Sequence, residues 1–436
     1  MGMAERLPLT LHAYRMLTGA AIPLVDLLIA YRLKRGKEHA VRLRERRGES
    51  LVARPPGPLL WLHGASVGEL TAILPLIQRL HGREFTVLVT SGTVTSAGLA
   101  EQRLPPGVIH QFVPIDVPQF VNRFLDHWQP NLALFVESDL WPNMIMASSA
   151  RGVPLILING RLSERSFRRW RFAPRTIGAL LRRFDLCLAQ SAGDATRYAG
   201  LGAPRITTTG NLKLDAPAPP ADDGKLKALE AAIGGRPIIG AASTHPGEEA
   251  AVLDAHRRLK GTFPGLLTLL APRHPERGPG IAEIAKVMGL EAKLRSRGEM
   301  PEVHTDVYIA DTLGELGLLY RLAPIVFMGG SLVSHGGQNP IEAIKLGAAV
   351  LHGPNVWNFS EIYLTLDVAG GAEQVTDAGK LAVRMGAWLK DAEARKRVSE
   401  TAVIALDALM GALDRTVAAL DPYLAEFRLQ RRLEDA

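Results

Sequence analysis

The chain has 436 residues, 47% hydrophobic and 22% charged, with a formal net charge of +7 and one cysteine, Cys187. That length suits two domains rather than one core, and the balance of apolar to charged residues excludes a disordered polymer. A single thiol excludes an internal disulfide framework, and no Cys/His cluster has zinc-site spacing, so no metal is expected.

In chain order, the first feature is an apolar stretch at 16–30, MLTGAAIPLVDLLIA, interrupted by Pro23 and Asp26. A membrane span wants about 20 clean apolar residues, so this stretch is marginal. Its positive charges follow at Arg32, Lys34, Arg35 and Lys37, the reverse of a secretory signal. Two placements suit it. It could be an amphipathic helix packed on the protein itself. The preferred placement is a helix lying in or dipping into the inner leaflet, with the basic run on anionic headgroups and the body on the cytoplasmic side. Segment 32–47 carries eight Lys/Arg against two acids, and segment 161–183 eight Arg against one. The rest of the chain is net acidic, so the basicity is local and points to an anionic surface or substrate. No zinc finger, helix-turn-helix or aromatic–basic RNA motif accompanies these patches, and no nucleic-acid partner is expected.

From residue 58, short apolar runs alternate with helix-length segments. Predicted strands are PLLWLHGA, FTVLVTS, IHQFVPI, LALFVES, PLILING, LCLAQS and ITTTGN, ending at residue 211. The proline-rich stretch DAPAPPADDG follows as a linker. Strands then resume with PIIGAAS, LLTLLAP, DVYIAD, APIVFMGGS and AAVLHGP. Continuous apolar strands separated by helices predict parallel sheets covered on both faces, hence an α/β fold of two doubly wound, Rossmann-like domains facing across a cleft. The expected boundaries are a membrane-associating helix and basic segment at 1–48, a first domain at 49–214, a linker at 215–236 and a second domain at 237–436. The last helix is free to pack back on the first domain. Ligands bind such sheets beyond the carboxyl ends of their strands.

The stretch LHGASVGE at 62–69 sits at such an end and reads two ways. Gly64-Ala65-Ser66-Val67-Gly68 matches the serine elbow of many hydrolases. That elbow needs earlier strands and an oxyanion loop before it, and only the apolar, basic N-terminal segment precedes Ser66. The favoured reading is a strand, a turn and a helix starting at Glu69, with Ser66 capping. Glu69 then either complements the helix dipole or serves as a general base. ESDLWPN places Glu137 and Asp139 at another strand end; NGRLSERS and GNLKLD add Arg161, Ser163 and Lys213. In the second half, LAPRHPER offers Arg273, His274 and Arg277 to a phosphate, and ADTLGEL offers the backbone of Leu313, Gly314 and Glu315. VFMGGSLVSHGGQNPIE is either a tight turn or a loop whose glycines approach a phosphate. Asn339-Pro340 opens the helix after it, and Glu342 lies within reach of ribose hydroxyls. No Walker A or compact GxGxxG is present, which weakens the ATPase and dehydrogenase readings.

Taken together, SVGE, ESDLWPN, NGRLSERS, GNLKLD, STHPGEE, PRHPER, GGSLVSHGGQNPIEA and GPNVWNFSEI resemble the 3-deoxy-D-manno-octulosonic acid (Kdo) transferases of lipopolysaccharide synthesis. The resemblance runs nearly the whole chain. It implies a GT-B, inverting glycosyltransferase without cofactor or metal, moving Kdo from CMP-Kdo to the lipid A precursor (lipid IVA) at the cytoplasmic face of the cell inner membrane, where anionic lipids are partners. By motif it implies Glu69 as general base, with Glu137 and Lys213 supporting the transition state. Pro272, Arg273, Leu313, Gly314, Glu315, Asn339, Pro340, Ile341 and Glu342 are the implied CMP contacts. Arginine, lysine and helix N-termini would neutralise a monophosphate leaving group in place of a metal. The family pattern has Arg and His where this chain has His335 and Gln338, and Glu where it has Asp139. The alternatives are a same-fold transferase for another nonulosonate or nucleotide sugar, and a non-catalytic lipid binder.

Overall fold

The structure, a computed structural model, describes residues 7–82, 85–138 and 140–434, with side chains to 427; Asp139 lies outside the described residues. The chain divides into two compact units, one of residues 1–216 with 410–436 and the other of 217–409.

The first unit opens with two helices, α1 (Leu9–Ala20) and α2 (Ile22–Lys34). Pro23 sits in the first turn of α2, where a missing N–H costs nothing. Their inner faces bury Leu11, Val25 and Ile29, the last two against Val117 and Phe120. Their outer faces leave Leu9, Met16, Leu17, Leu24 and Leu27 well exposed. The helices are therefore packed on the protein, as in the first placement considered from sequence, and apolar on the outside. No single helix among the described residues is long and apolar enough to cross a membrane; α1 and α2 pass that test only together, across a 69° bend. Part of the basic run after them is used internally. Arg46, 5% exposed, is held by Glu38 and the carbonyls of Gly92 and Val113, while Arg42 pairs with Glu45 and His110.

The body of this unit is a parallel sheet of β1 (Leu59–His63), β2 (Thr86–Ser91), β3 (Ile109–Phe112), β4 (Leu132–Val136), β5 (Leu155–Gly160), β6 (Leu186–Ala189) and β7 (Ile206–Thr208). Their order is β3-β2-β1-β4-β5-β6-β7, so the winding reverses between β1 and β4. Strands β1, β4 and β5 are buried throughout, which is why they read as unbroken apolar runs. Side chains alternate to two cores, Leu59, Trp61 and Phe135 on one face and Leu60, Leu62 and Leu134 on the other. The helix Ala412–Glu434 returns to this unit and buries Leu420, Leu424 and Phe427 in the second of these cores. Cys187 is buried, its thiol pushed up to about 12 by burial, which leaves it inert at neutral pH.

The second unit has a parallel sheet of β8 (Ile238–Thr244), β9 (Leu267–Pro272), β10 (Ala292–Leu294), β11 (Val307–Ile309), β12 (Ile325–Met328), β13 (Ala349–His352) and β14 (Ala372–Gln374). Their order is β10-β11-β9-β8-β12-β13-β14, with the reversal between β8 and β12. Strands β10 and β14 have no counterpart in the sequence reading. Each is three residues long at a sheet edge and is only partly buried, so neither carries an apolar run. Within 215–236, residues Asp223–Ile233 form a helix.

Candidate active site

Glu69, Glu137 and Lys213 gather at the carboxyl edge of the first sheet. β1 runs into α3 (Val67–Leu80) through a turn in which Ser66 is the cap, its Oγ accepting the Glu69 N–H at 3.2 Å. Glu69 reaches back: Oε2 accepts the Ala65 N–H at 2.6 Å, and Oε1 accepts the Ser66 hydroxyl at 2.9 Å. The Ser66 cap satisfies one donor that a helix start leaves open, and the return contacts tie the Glu69 side chain to the turn. Ser66 has an ordinary extended backbone (φ −112°, ψ 165°), unlike the strained serine of a hydrolase elbow. Its hydroxyl is engaged with Glu69, and the nearby His63 is fully buried with Nδ1 on Thr90. The turn serves as a cap, with Glu69 on its rim.

Glu137 follows β4, next to β1 across the reversal point. Its φ is +58°, a region non-glycine residues seldom occupy. The N–H is bonded to Ile158 O, and the carboxylate meets Lys213 Nζ at 2.5 Å. Lys213 sits on the short helix Leu212–Asp215, capped by Asn211, which packs against α3 and so brings the pair to Glu69's side of the sheet. Among the described residues, three of the four non-glycine residues at positive φ lie at strand ends of these sheets: Glu137, Asn159 (φ +51°) and Ser243 (φ +56°). Backbone strain of this kind clusters at functional sites.

Sequence reasoning missed the groups that hold this arrangement. Tyr198, fully buried, donates to the carbonyls of Glu137 and Arg161 at 3.2 Å each, clamping two strand-end loops together. Asn159, also fully buried, accepts the Leu212 N–H at 3.0 Å and so places the helix carrying Lys213. Asp215 accepts the N–H groups of Gly411 and Leu413, anchoring the returning C-terminal helix beside them. Asn159 lies inside NGRLSERS and Asp215 inside GNLKLD, but Tyr198 lies in no quoted motif. Ser163 caps the helix Glu164–Trp170.

In the second unit the predicted residues lie at the carboxyl ends of β9, β11 and β12. Pro272 ends β9 and is buried; Arg273 follows, exposed, its N–H bonded to Thr244 O at 3.0 Å. Leu313 is 65% exposed and Gly314 takes φ +80°, so this loop is open to solvent. Glu315 does not offer its side chain. Its carboxylate is held by Arg295, by Lys225 at 2.8 Å and by Thr312 at 2.5 Å, and the Arg295 hydrogen bonds lower its pKa to about 2. Asn339 Oδ1 accepts the Ile341 N–H at 3.1 Å, opening the helix Ile341–Lys345 after Pro340, with Glu342 in its first turn. Around this edge, the rings of His245 and His335 stack at 4.0 Å, and the Gln338 amide donates to His245 Nε2 at 3.0 Å. Burial first, then the neighbouring His335, His274 and Arg273, lower His245 to about 4, so its imidazole is neutral.

The chain matches the sequence profile of the 3-deoxy-D-manno-octulosonic-acid transferases over residues 41–216. It is 35% identical over 412 residues to the 3-deoxy-D-manno-octulosonic acid transferase of Haemophilus influenzae, covering 92% of this chain and 96% of that one. It is 37% identical over 367 residues to a probable mitochondrial 3-deoxy-D-manno-octulosonic acid transferase of Arabidopsis thaliana, covering 82% of each. Among solved structures it resembles a glycosyltransferase from Rickettsia africae, with TM-score 0.60 and 12% identity over 85% of this chain and 99% of that one. It also resembles the UDP complex of Staphylococcus aureus MnaA, with TM-score 0.58 and 16% identity over 84% and 97%. These structural likenesses concern the fold, which is of the GT-B class.

Proposed function

The chain belongs to the 3-deoxy-D-manno-octulosonic acid (Kdo) transferases, a family of glycosyltransferases, and we propose that it moves Kdo from CMP-Kdo to the lipid A precursor, lipid IVA. In this reading Glu69 removes the proton from an acceptor hydroxyl. The freed oxygen bonds to the anomeric carbon of Kdo, the bond from that carbon to the phosphate oxygen breaks, and CMP leaves with its electron pair. Attack opposite the leaving group inverts the configuration, with no covalent enzyme intermediate. A carboxylate accepts only, and Glu69 is held by the Ala65 N–H on one oxygen and the Ser66 hydroxyl on the other, an orientation that suits a base fixed in place. The Lys213–Glu137 pair supports charge developing in the transition state.

CMP is assigned to Pro272 and Arg273, to the backbone of Leu313, Gly314 and Glu315, and to Asn339, Pro340, Ile341 and Glu342. Work at the cytoplasmic face of the inner membrane is supported by the exposed apolar faces of α1 and α2 and by the exposed Lys34, Arg35 and Lys37 after them. The observation that carries the reading is the gathering of Glu69, Glu137 and Lys213 at the reversal point of the first sheet, where doubly wound folds bind ligands.

The test uses purified protein, lipid IVA and freshly generated CMP-Kdo, with products read by mass spectrometry. Glu69→Gln is expected to abolish transfer while CMP binding stays near wild type; retained turnover overturns the base assignment. A donor panel addresses the second reading, a different nonulosonate, which the replacement of the family's Arg and His by His335 and Gln338 keeps open.

A further inference from the structure

Glu248, the first residue of the helix Glu248–Lys260, is 1% exposed. Its carboxylate accepts four hydrogen bonds, all from backbone. Oε2 takes the His245 N–H at 2.9 Å and the Gly330 N–H at 2.6 Å; Oε1 takes the N–H groups of Ser331 and Leu332, both at 2.9 Å. Three successive N–H groups at 330–332 form the kind of concave nest that binds anions. The Gly-Gly turn after β12 has the form of a phosphate cradle, but the protein fills it with its own carboxylate.

That carboxylate lies between two loops assigned to the donor. On one side, the 243–245 segment holds Arg273 through Thr244 O. On the other, Gly330 O accepts the Gly337 N–H at 2.8 Å and Gly329 O accepts the Gln338 N–H at 3.1 Å, one residue before Asn339. The two strand ends pack directly on each other: a Cβ on Gly329 would sit 2.4 Å from Ser243 O. We infer that Glu248 is a positioning residue of the donor site. It clasps the Arg273 and Asn339 loops in register and occupies the 330–332 nest, so the donor phosphate is bound elsewhere, by side chains such as Arg273. This inference rests on the assignment of Arg273 and Asn339 to CMP.

A carboxylate suits the place because it accepts only, with about as many lone-pair positions as there are N–H groups here. Glutamine would turn an amide N–H₂ toward backbone donors. The test measures CMP binding by calorimetry on the full chain. Glu248→Gln and Glu248→Ala are expected to bind CMP at least tenfold more weakly, and both should melt lower because buried backbone N–H groups lose their acceptor. Formate, small enough for the vacated nest, should restore most of the affinity of Glu248→Ala, and chloride at equal ionic strength should not. Wild-type affinity in either variant, or weakened binding that formate leaves unchanged, overturns the inference. If neither variant folds, amide exchange of the wild type decides: slow exchange at 330–332 that stays slow in excess CMP supports it, and fast exchange overturns it. Arg273→Ala and Asn339→Ala run alongside. If both bind CMP normally, it is the assignment of the donor loops that fails, separately from the role of Glu248.

Discussion

Lys213 Nζ and Glu137 Oε1 meet at 2.5 Å although 76 residues separate them in the chain, and both side chains are mostly withdrawn from water, at 17% and 14% exposure. A desolvated pair of this kind binds its partners to each other: either charge left alone has lost water without a replacement. The left-handed backbone at Glu137 and the Asn159 contact to Leu212 are the features that bring the two groups together.

The costs of removing the two members should therefore not add. Lys213→Met is expected to destabilise the protein by about 2–4 kcal/mol, and the Lys213→Met/Glu137→Gln double variant by less than the sum of the singles. Chemical denaturation of the four proteins of the cycle measures this. Transfer should fall on the order of 100-fold or more in each single variant, as expected for loss of one group aimed at developing charge.

Ser66 offers a sharp contrast with a nucleophile. Its hydroxyl caps α3 and touches Glu69. Ser66→Ala should lower stability by about 1 kcal/mol and reduce turnover only several-fold. A loss of turnover comparable to that of Glu69→Gln would return the serine-elbow reading to contention.

Acid should weaken the fold earlier than its carboxylates require. Burial lowers His63 to about 4; burial and then the Arg42 charge lower His110 to about 3, both from 6.5. The folded state keeps these rings neutral, while the unfolded chain takes up protons near 6.5. Stability is thus fully present above about pH 6.5 and is lost as pH falls from there toward 4. Melting temperatures from pH 8 to 5 should decline across this window. His63→Gln should flatten that decline; an equally steep fall in the variant would count against the buried neutral imidazole.

Much of the fold was legible because buried parallel strands must be apolar along their whole length. The runs in β1, β4, β5, β9 and β12 stand out for that reason. The edge strands β10 and β14 did not, since three residues with one face in water carry no such run. The Ser66–Glu69 cap was readable because its partners lie within one helical turn. The glycine-rich loop after β12 looked like a phosphate cradle, and only the structure revealed that Glu248 already fills it.

Residue order was enough to read the contacts that close within about four residues, the cap of α3 and the proline-opened helices, and the longer alternation of apolar runs that puts motifs at strand ends. The tertiary structure alone decided which strand ends are neighbours. Sheet order set β1 against β4 and β8 against β12, and so chose Lys213 for Glu137, Tyr198 for the loops of Glu137 and Arg161, and Glu248 for residues 330–332. The reason is physical. A local contact is drawn from the few conformations of a short segment, whereas a pairing across 37 residues or more exists only once two cores have packed and excluded the water that would otherwise serve as the partner.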